Sequence, residues 1–133
     1  MHLDRYVLRV RTDQEPDVAE ERLRTALKDE GFGVLTEIDV RDTLREKLDV
    51  EVEPYRILGA CKPTYAHHAL QVDPAIGGLL PCNVVVRSHP EGGSELIAID
   101  PIAMMSITEE QDLEAIATEV RAELQRALEV AAG

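Results

Sequence analysis

The chain has 133 residues, a formal net charge of -12 and 44% hydrophobic side chains, which describe one soluble globular domain over residues 1–133 and exclude a disordered segment. The acidic excess argues against nucleic acid and anionic membranes as partners, because both would repel most of this surface. No apolar run approaches the roughly 18 residues of a membrane span, and residues 1–5 do not open a signal peptide, so we expect a cytoplasmic protein.

Hydrophobic periodicity predicts five strands and four helices. Alternation of apolar and polar side chains is typical of a strand, and a spacing of three and four is typical of a helix. In chain order the prediction is a strand at 6–11, a helix at 16–30, a strand at 32–38, a helix at 40–48, a strand at 55–61, a helix at 64–71, strands at 83–87 and 95–99, and a final helix of about 20 residues.

Three residues in the first half of the chain predict local features: a helix start, a helix end and an irregularity in a strand. Pro16 is expected at the first position of its helix, where its missing N–H costs nothing. Gly31 is expected to end that helix in a left-handed conformation. Gly59, inside a predicted strand, indicates a bulge or a close backbone approach.

The segment before the final helix is harder to interpret. Residues 100–107 are expected to form a loop that ends in a short strand. Thr108 is three positions before Gln111, a spacing that predicts a capping box with Thr108 as the N-cap. The resulting order, β-α-β-α-β-α-β-β-α, predicts an α/β or α+β layer structure with helices packed on a sheet of about five strands.

Several short motifs resemble the domain of unknown function 302 family. They are GFGV at 31–34, LGACKP at 58–63, IGGLLPCNVVV at 76–86 and DP at 100–101, and the likeness spans roughly residues 6–128. The resemblance implies an α+β fold similar to that of the TATA-binding protein, with a single curved, largely antiparallel sheet backed by helices. It implies no activity, and a fold-level analogy does not carry DNA binding with it.

The two cysteines are the chain's most specific chemical feature. Cys61 ends the third predicted strand and Cys82 opens the fourth. If these strands are antiparallel, both thiols lie at the same end of the sheet; if they are parallel, the thiols lie at opposite ends. Periodicity leaves both arrangements open, and the resemblance favours the antiparallel one.

A close thiol pair can bind a soft metal, cycle between dithiol and disulfide, or only pack in the core. Cu(I) needs just two thiolates, whereas tetrahedral Zn needs two further ligands. Adjacent histidines on a helix point about 100° apart, so one of them at most can join the thiols. The candidate metal ligands are Cys61 and Cys82 with His68, alternatives being His67 and the weak thioethers Met104 and Met105.

The favoured hypothesis is a binding module that uses the Cys61/Cys82 pair for a soft metal, a small ligand or a redox partner. Its pocket is expected on the concave face of the sheet, closed by the C-terminal helix. The alternative is a homodimeric interaction module whose cysteines belong to the core.

An enzyme is disfavoured. The sequence contains neither a G-x-S-x-G motif nor a phosphate-binding loop. Lys62 is the only charged neighbour in sequence that could activate a thiol.

Overall fold

The computed structural model describes residues 2–133. The strands are β1 (His2–Asp4), β2 (Val7–Thr12), β3 (Gly33–Asp39), β4 (Tyr55–Cys61), β5 (Cys82–Ser88) and β6 (Ser94–Ile99). The helices are α1 (Pro16–Asp29), α2 (Val40–Leu48), α3 (Pro63–Val72), α4 (Pro101–Ser106) and α5 (Gln111–Ala132), and a 3₁₀ turn covers Pro74–Leu79. Within residues 2–133, no helix combines the length and apolar character needed to cross a membrane.

All strands belong to one antiparallel sheet in the order β1-β2-β6-β5-β4-β3. This confirms the predicted α+β class. The sheet has six strands, one more than the alternation predicted, because β1 adds an edge strand beside β2. A strand of 3 residues is too short for a period of two to be recognised. Arg5, with a φ of 62°, lies in the turn between the two strands.

One face of the sheet is covered by α1 and α5, which pack on each other and enclose the core. Alternate strand residues point into this layer, as the pleat requires. The largest fully buried side chains come from the strands (Leu8, Leu58, Val84, Val86, Leu96), from α1 and α5 (Leu23, Leu27, Leu113, Leu124, Leu128), and from the 3₁₀ turn and α4 (Ile76, Pro101). The opposite face of the sheet is left without a helix layer over its centre.

The local signals in the first half of the chain are confirmed. Pro16 occupies the first turn of α1, and Gly31 follows that helix with a φ of 90°. Gly59 lies opposite a bulge between Val34 and Thr36 in β3. A Cβ at Gly59 would collide with the Thr36 hydroxyl and with the ring of Pro81, so this glycine makes room for two side chains and not for a neighbouring backbone.

The structure corrects the prediction for residues 100–107. Instead of a loop that ends in a strand, it contains α4, in which Pro101 occupies the first turn. The Asp100 carboxylate accepts a hydrogen bond from the Ile102 N–H at 2.9 Å. A helix of 6 residues is shorter than two turns and leaves no clear period, which is why the pattern did not predict it.

The predicted capping box is also wrong. The final helix begins at Gln111 without a side-chain cap. The Thr108 hydroxyl donates to the Met105 carbonyl at 2.8 Å and accepts from the Glu110 N–H at 3.1 Å. Thr108 therefore stabilises the turn between α4 and α5. Within this turn, Glu109 adopts a left-handed backbone conformation with a φ of 60°.

Candidate functional site

Both cysteines lie at the same end of the sheet. β4 ends at Cys61 and β5 begins at Cys82, and the two strands are antiparallel with Ala60 opposite Cys82. The two thiols are free, with Cys82 buried and Cys61 partly exposed. The register places Cys61 one position beyond the partner of Cys82, so both thiols lie at the same end of the sheet, as the antiparallel alternative predicted.

A small cavity of about 40 Å³ lies beside the thiols, between the sheet end, α3, α4 and α5. Four sulfur-bearing side chains line it: Cys61, Cys82, Met104 and Met105. The other lining residues are mostly apolar: Phe32, Ala60, Ala66, Ala69, Leu80, Pro81, Pro101, Ile116, Ala117 and Val120, with Lys62 and Tyr65. The cavity therefore offers sulfur donors in surroundings that exclude most other ligands.

Both thiols are held in the protonated form at neutral pH. Burial raises the pKa of Cys61. Burial, and then the neighbouring Cys61, raise the pKa of Cys82 to about 11. A nucleophilic cysteine needs the opposite shift, so this environment disfavours an enzyme that uses a reactive thiol.

Lys62 does not activate the neighbouring thiol, because its ammonium is paired with Glu123 of α5. The Lys62 ammonium also lies 5.7 Å from the centre of the Phe32 ring and 4.9 Å from that of Tyr65, within the range of cation–π attraction. The positive charge is thus neutralised and enclosed at the edge of the cavity.

Tyr65 extends this polar cluster. Its hydroxyl donates to Glu119 at 2.7 Å and to Glu123 at 3.0 Å, the two acceptors sharing one proton. Hydrogen bonding to these carboxylates and burial raise the pKa of Tyr65 well above its usual value. Sequence reasoning missed Glu119 and Glu123, because nothing in a helix pattern distinguishes these acidic residues from those on its solvated face.

His68 is not brought to the thiols. α3 turns Ala66 and Ala69 toward the cavity, whereas His67 and His68 are exposed. Among residues 2–133, no group of three or more histidine, cysteine, aspartate or glutamate side chains is placed to hold a metal ion. The set Cys61, Cys82 and His68 therefore does not assemble, and a tetrahedral zinc site has no support in this geometry.

The prediction that the C-terminal helix closes a pocket over the sheet is also corrected. The long helix α5 packs with α1 on the core-facing side of the sheet and does not cover the opposite face. A groove of about 1010 Å³ runs along that opposite face. Leu80, Pro81 and Met104 line both the groove and the sulfur-lined cavity, so the two features share one wall.

Together these features define a small α+β domain with one antiparallel sheet, a helix layer on one face and a sulfur-lined cavity at the sheet end. The model of the family "Domain of unknown function DUF302" matches residues 8–131, and the chain belongs to this family. No match was found among curated proteins.

One solved structure is similar over nearly the whole chain. It is the uncharacterized conserved protein DUF302 from Bacillus stearothermophilus, 28% identical, with a TM-score of 0.89. The similarity covers 96% of this chain and 99% of that chain. The likeness supports the fold and leaves the chemistry to be argued from the residues.

Proposed function

We propose that this domain binds Cu(I) in the sulfur-lined cavity, with Cys61 and Cys82 as thiolate ligands and a thioether of Met104 or Met105 as a third donor. The observation that carries the proposal is that all four of these sulfur-bearing side chains line one cavity of about 40 Å³. Thiolate and thioether ligands select Cu(I) over harder cations.

The size and lining of the cavity favour a bare soft ion. A water molecule needs about 10–15 Å³ of such volume, so a cavity of about 40 Å³ is too small for a hydrated divalent cation with its water shell. Its two polar lining residues, Lys62 and Tyr65, are already bound to Glu123. Mg²⁺ and Ca²⁺, which require several oxygen ligands, have no suitable donors there.

The binding step balances in charge and protons. Two neutral thiols and one Cu(I) give a bis-thiolate complex of charge −1 and two released protons, with no change in oxidation state. Lys62 directly follows Cys61 and is the cationic residue in the lining of the cavity, where it is paired with Glu123. Binding requires free thiols, which persist in a reducing compartment, so the proposal depends on the predicted cytoplasmic location.

The test is anaerobic titration with Cu(I) against a chromogenic Cu(I) chelator, with metal content read by native mass spectrometry. We expect one Cu(I) per chain in the wild type and a loss of at least about tenfold in affinity in Cys61→Ser and in Cys82→Ser. His68→Ala is the matched control and should bind like the wild type. Binding that is absent in the wild type, or unchanged in Cys61→Ser/Cys82→Ser, would refute the proposal.

A homodimer is the second candidate, supported by the exposed edge of the sheet. The outer strand β3 leaves Leu35 and Ile38 exposed by 66% and 48%, and an apolar edge strand is a template for pairing with a second copy. Sedimentation equilibrium should then give a dimer mass for the wild type and a monomer mass for Leu35→Lys. A monomeric wild type at high concentration would exclude this candidate.

A further inference from the structure

The groove on the open face of the sheet shares Leu80, Pro81 and Met104 with the sulfur-lined cavity, but neither cysteine lines it. Its floor is formed by β2, β6, β5 and β4, and its walls by α2 with the connector after it, by the segment 78–81 and by α4. Its volume of about 1010 Å³ lies at the upper end of the range for small-molecule sites, about 300–1,000 Å³.

The floor of the groove is amphipathic. Strand register places Val85 opposite Ile97, which pairs with Arg9 on its other side. The next row across the sheet places Arg87 opposite Glu95. Ile99 continues the apolar part along β6. An apolar area therefore lies directly beside a charged one.

Two arginines share one buried carboxylate at the charged end. Glu95 is 6% exposed, and its carboxylate lies 3.0 Å from the Arg87 guanidinium and 3.6 Å from that of Arg9. The Asp4 carboxylate lies 3.2 Å from the Arg9 guanidinium, so the four groups Arg9, Arg87, Glu95 and Asp4 together carry no net charge. Glu53 is a further carboxylate on the exposed rim of the groove.

The guanidinium groups retain unused hydrogen-bond donors. The Nε atom of Arg9 is buried and has no hydrogen-bond partner in the part of the chain that the structure describes. A guanidinium carries five N–H donors in a fixed fork that matches a carboxylate. Because that Nε atom has no accessible surface, a molecule in the groove does not reach it. Arg87 donates one side-chain hydrogen bond, from Nη1 to Glu95 at 3.0 Å, and its other N–H groups can donate to a bound acceptor.

We propose that this groove binds a small amphipathic carboxylic acid. The carboxylate lies against Arg9 and Arg87, and the apolar body lies over Val85 and Ile97. The fork of guanidinium N–H donors selects a planar head group with two acceptor oxygens, and the apolar row accommodates a chain or ring. This site faces away from the core and does not depend on the thiols.

The test uses octanoate as the probe and 1-octanol as its uncharged counterpart, with binding followed by amide chemical shifts in two-dimensional NMR. We expect saturable octanoate binding with shifts on β5 and β6, and weaker binding of 1-octanol. Arg87→Gln should weaken octanoate binding about tenfold or more, because it removes a charge-assisted contact. The same variant should leave 1-octanol binding nearly unchanged.

Two further variants distinguish a loss of binding at the groove from a general effect of substitution on the fold. Val85→Asp should abolish binding of both probes, because it places a charge beneath the apolar body. Arg126→Gln is the control: this arginine pairs with Glu30 on the helix layer and should leave binding unchanged. Each variant is first checked for an intact spectrum and a cooperative thermal transition.

Three results would overturn the proposal. They are an absence of saturable octanoate binding, equal loss in Arg126→Gln and Arg87→Gln, and burial of this face in a dimer of the wild-type chain. Each can be distinguished from failure of the Cu(I) proposal, because Cys61→Ser/Cys82→Ser should bind octanoate like the wild type.

Discussion

Lys62 and Glu123, 61 positions apart in sequence, form an ion pair that joins the end of β4 to the long helix α5. The Lys62 side chain is 23% exposed and that of Glu123 is 9% exposed. The pair thus lies at the boundary of the core, beside the sulfur-lined cavity. It fixes the residue after Cys61 against the helix layer and gives the cavity a defined edge.

Removing one partner of this pair should destabilise the fold. Glu123→Gln leaves the Lys62 ammonium without its carboxylate, and we expect a loss of about 1–3 kcal/mol in the free energy of unfolding, less than for a fully buried pair because Lys62 retains some solvent contact. Urea denaturation provides the measurement. In a double-mutant cycle with Lys62→Met, strictly additive losses would show that the pair contributes no coupling energy.

The thiols should react slowly at neutral pH, and Cys61 should react before Cys82. The raised pKa of Cys82, about 11, means that little of its thiolate is present below pH 9. Alkylation followed by mass spectrometry across pH 7–10 should show Cys82 modified far more slowly in the native protein than in denaturant. Equal rates in both states would contradict the buried environment.

The same shift affects stability at high pH. The pKa of Cys82 is raised on folding from its usual 9.0 to about 11, so the folded state holds this proton more tightly than the unfolded one. Stability is therefore fully present below about pH 9 and is lost as the pH rises toward 11. Cys82→Ala should flatten the decline in unfolding free energy within that range, apart from the contribution of Tyr65, whose pKa is also raised.

Gly59 should tolerate no side chain. A Cβ there would overlap Thr36 and Pro81, and we expect Gly59→Ala to lower the free energy of unfolding by about 1–3 kcal/mol, the usual cost of overpacking. Gly77→Ala is the matched control, since a Cβ at Gly77 meets nothing within 4 Å. If thermal denaturation gave the same small change for both variants, the close approach at Gly59 would be wrong.

Asp100 should position the methionines of the cavity. Its carboxylate caps α4 through the Ile102 N–H and lies 3.3 Å from the Arg121 guanidinium. Asp100→Ala should cost about 1 kcal/mol or somewhat more in the free energy of unfolding. In NMR, the amide chemical shifts should change throughout α4, including those of Met104 and Met105. Shifts confined to the mutated residue would show that the helix holds its place without this cap.

Much of the fold could be predicted because its signals are local. Strand alternation, Pro16 at a helix start and Gly31 at its end each depend on neighbours within a few positions. The errors fall on short segments. Both β1 and α4 are too short to show a recognisable period. Thr108 lies between α4 and α5, so its hydroxyl could bond to the end of one helix or to the start of the other. Its hydroxyl bonds to Met105 and stabilises the end of α4.

Local sequence patterns predict the α+β element order and the core-facing side of the main helices, and they single out the two cysteines as candidate ligands. Tertiary structure decided which side chains meet. The antiparallel register of β4 and β5 brought the thiols to one end, and helix packing added Met104 and Met105 while leaving His68 in solvent. Local preferences act over one or two turns of chain, whereas these groupings arise only when the whole sheet and helix layer bury their apolar faces together.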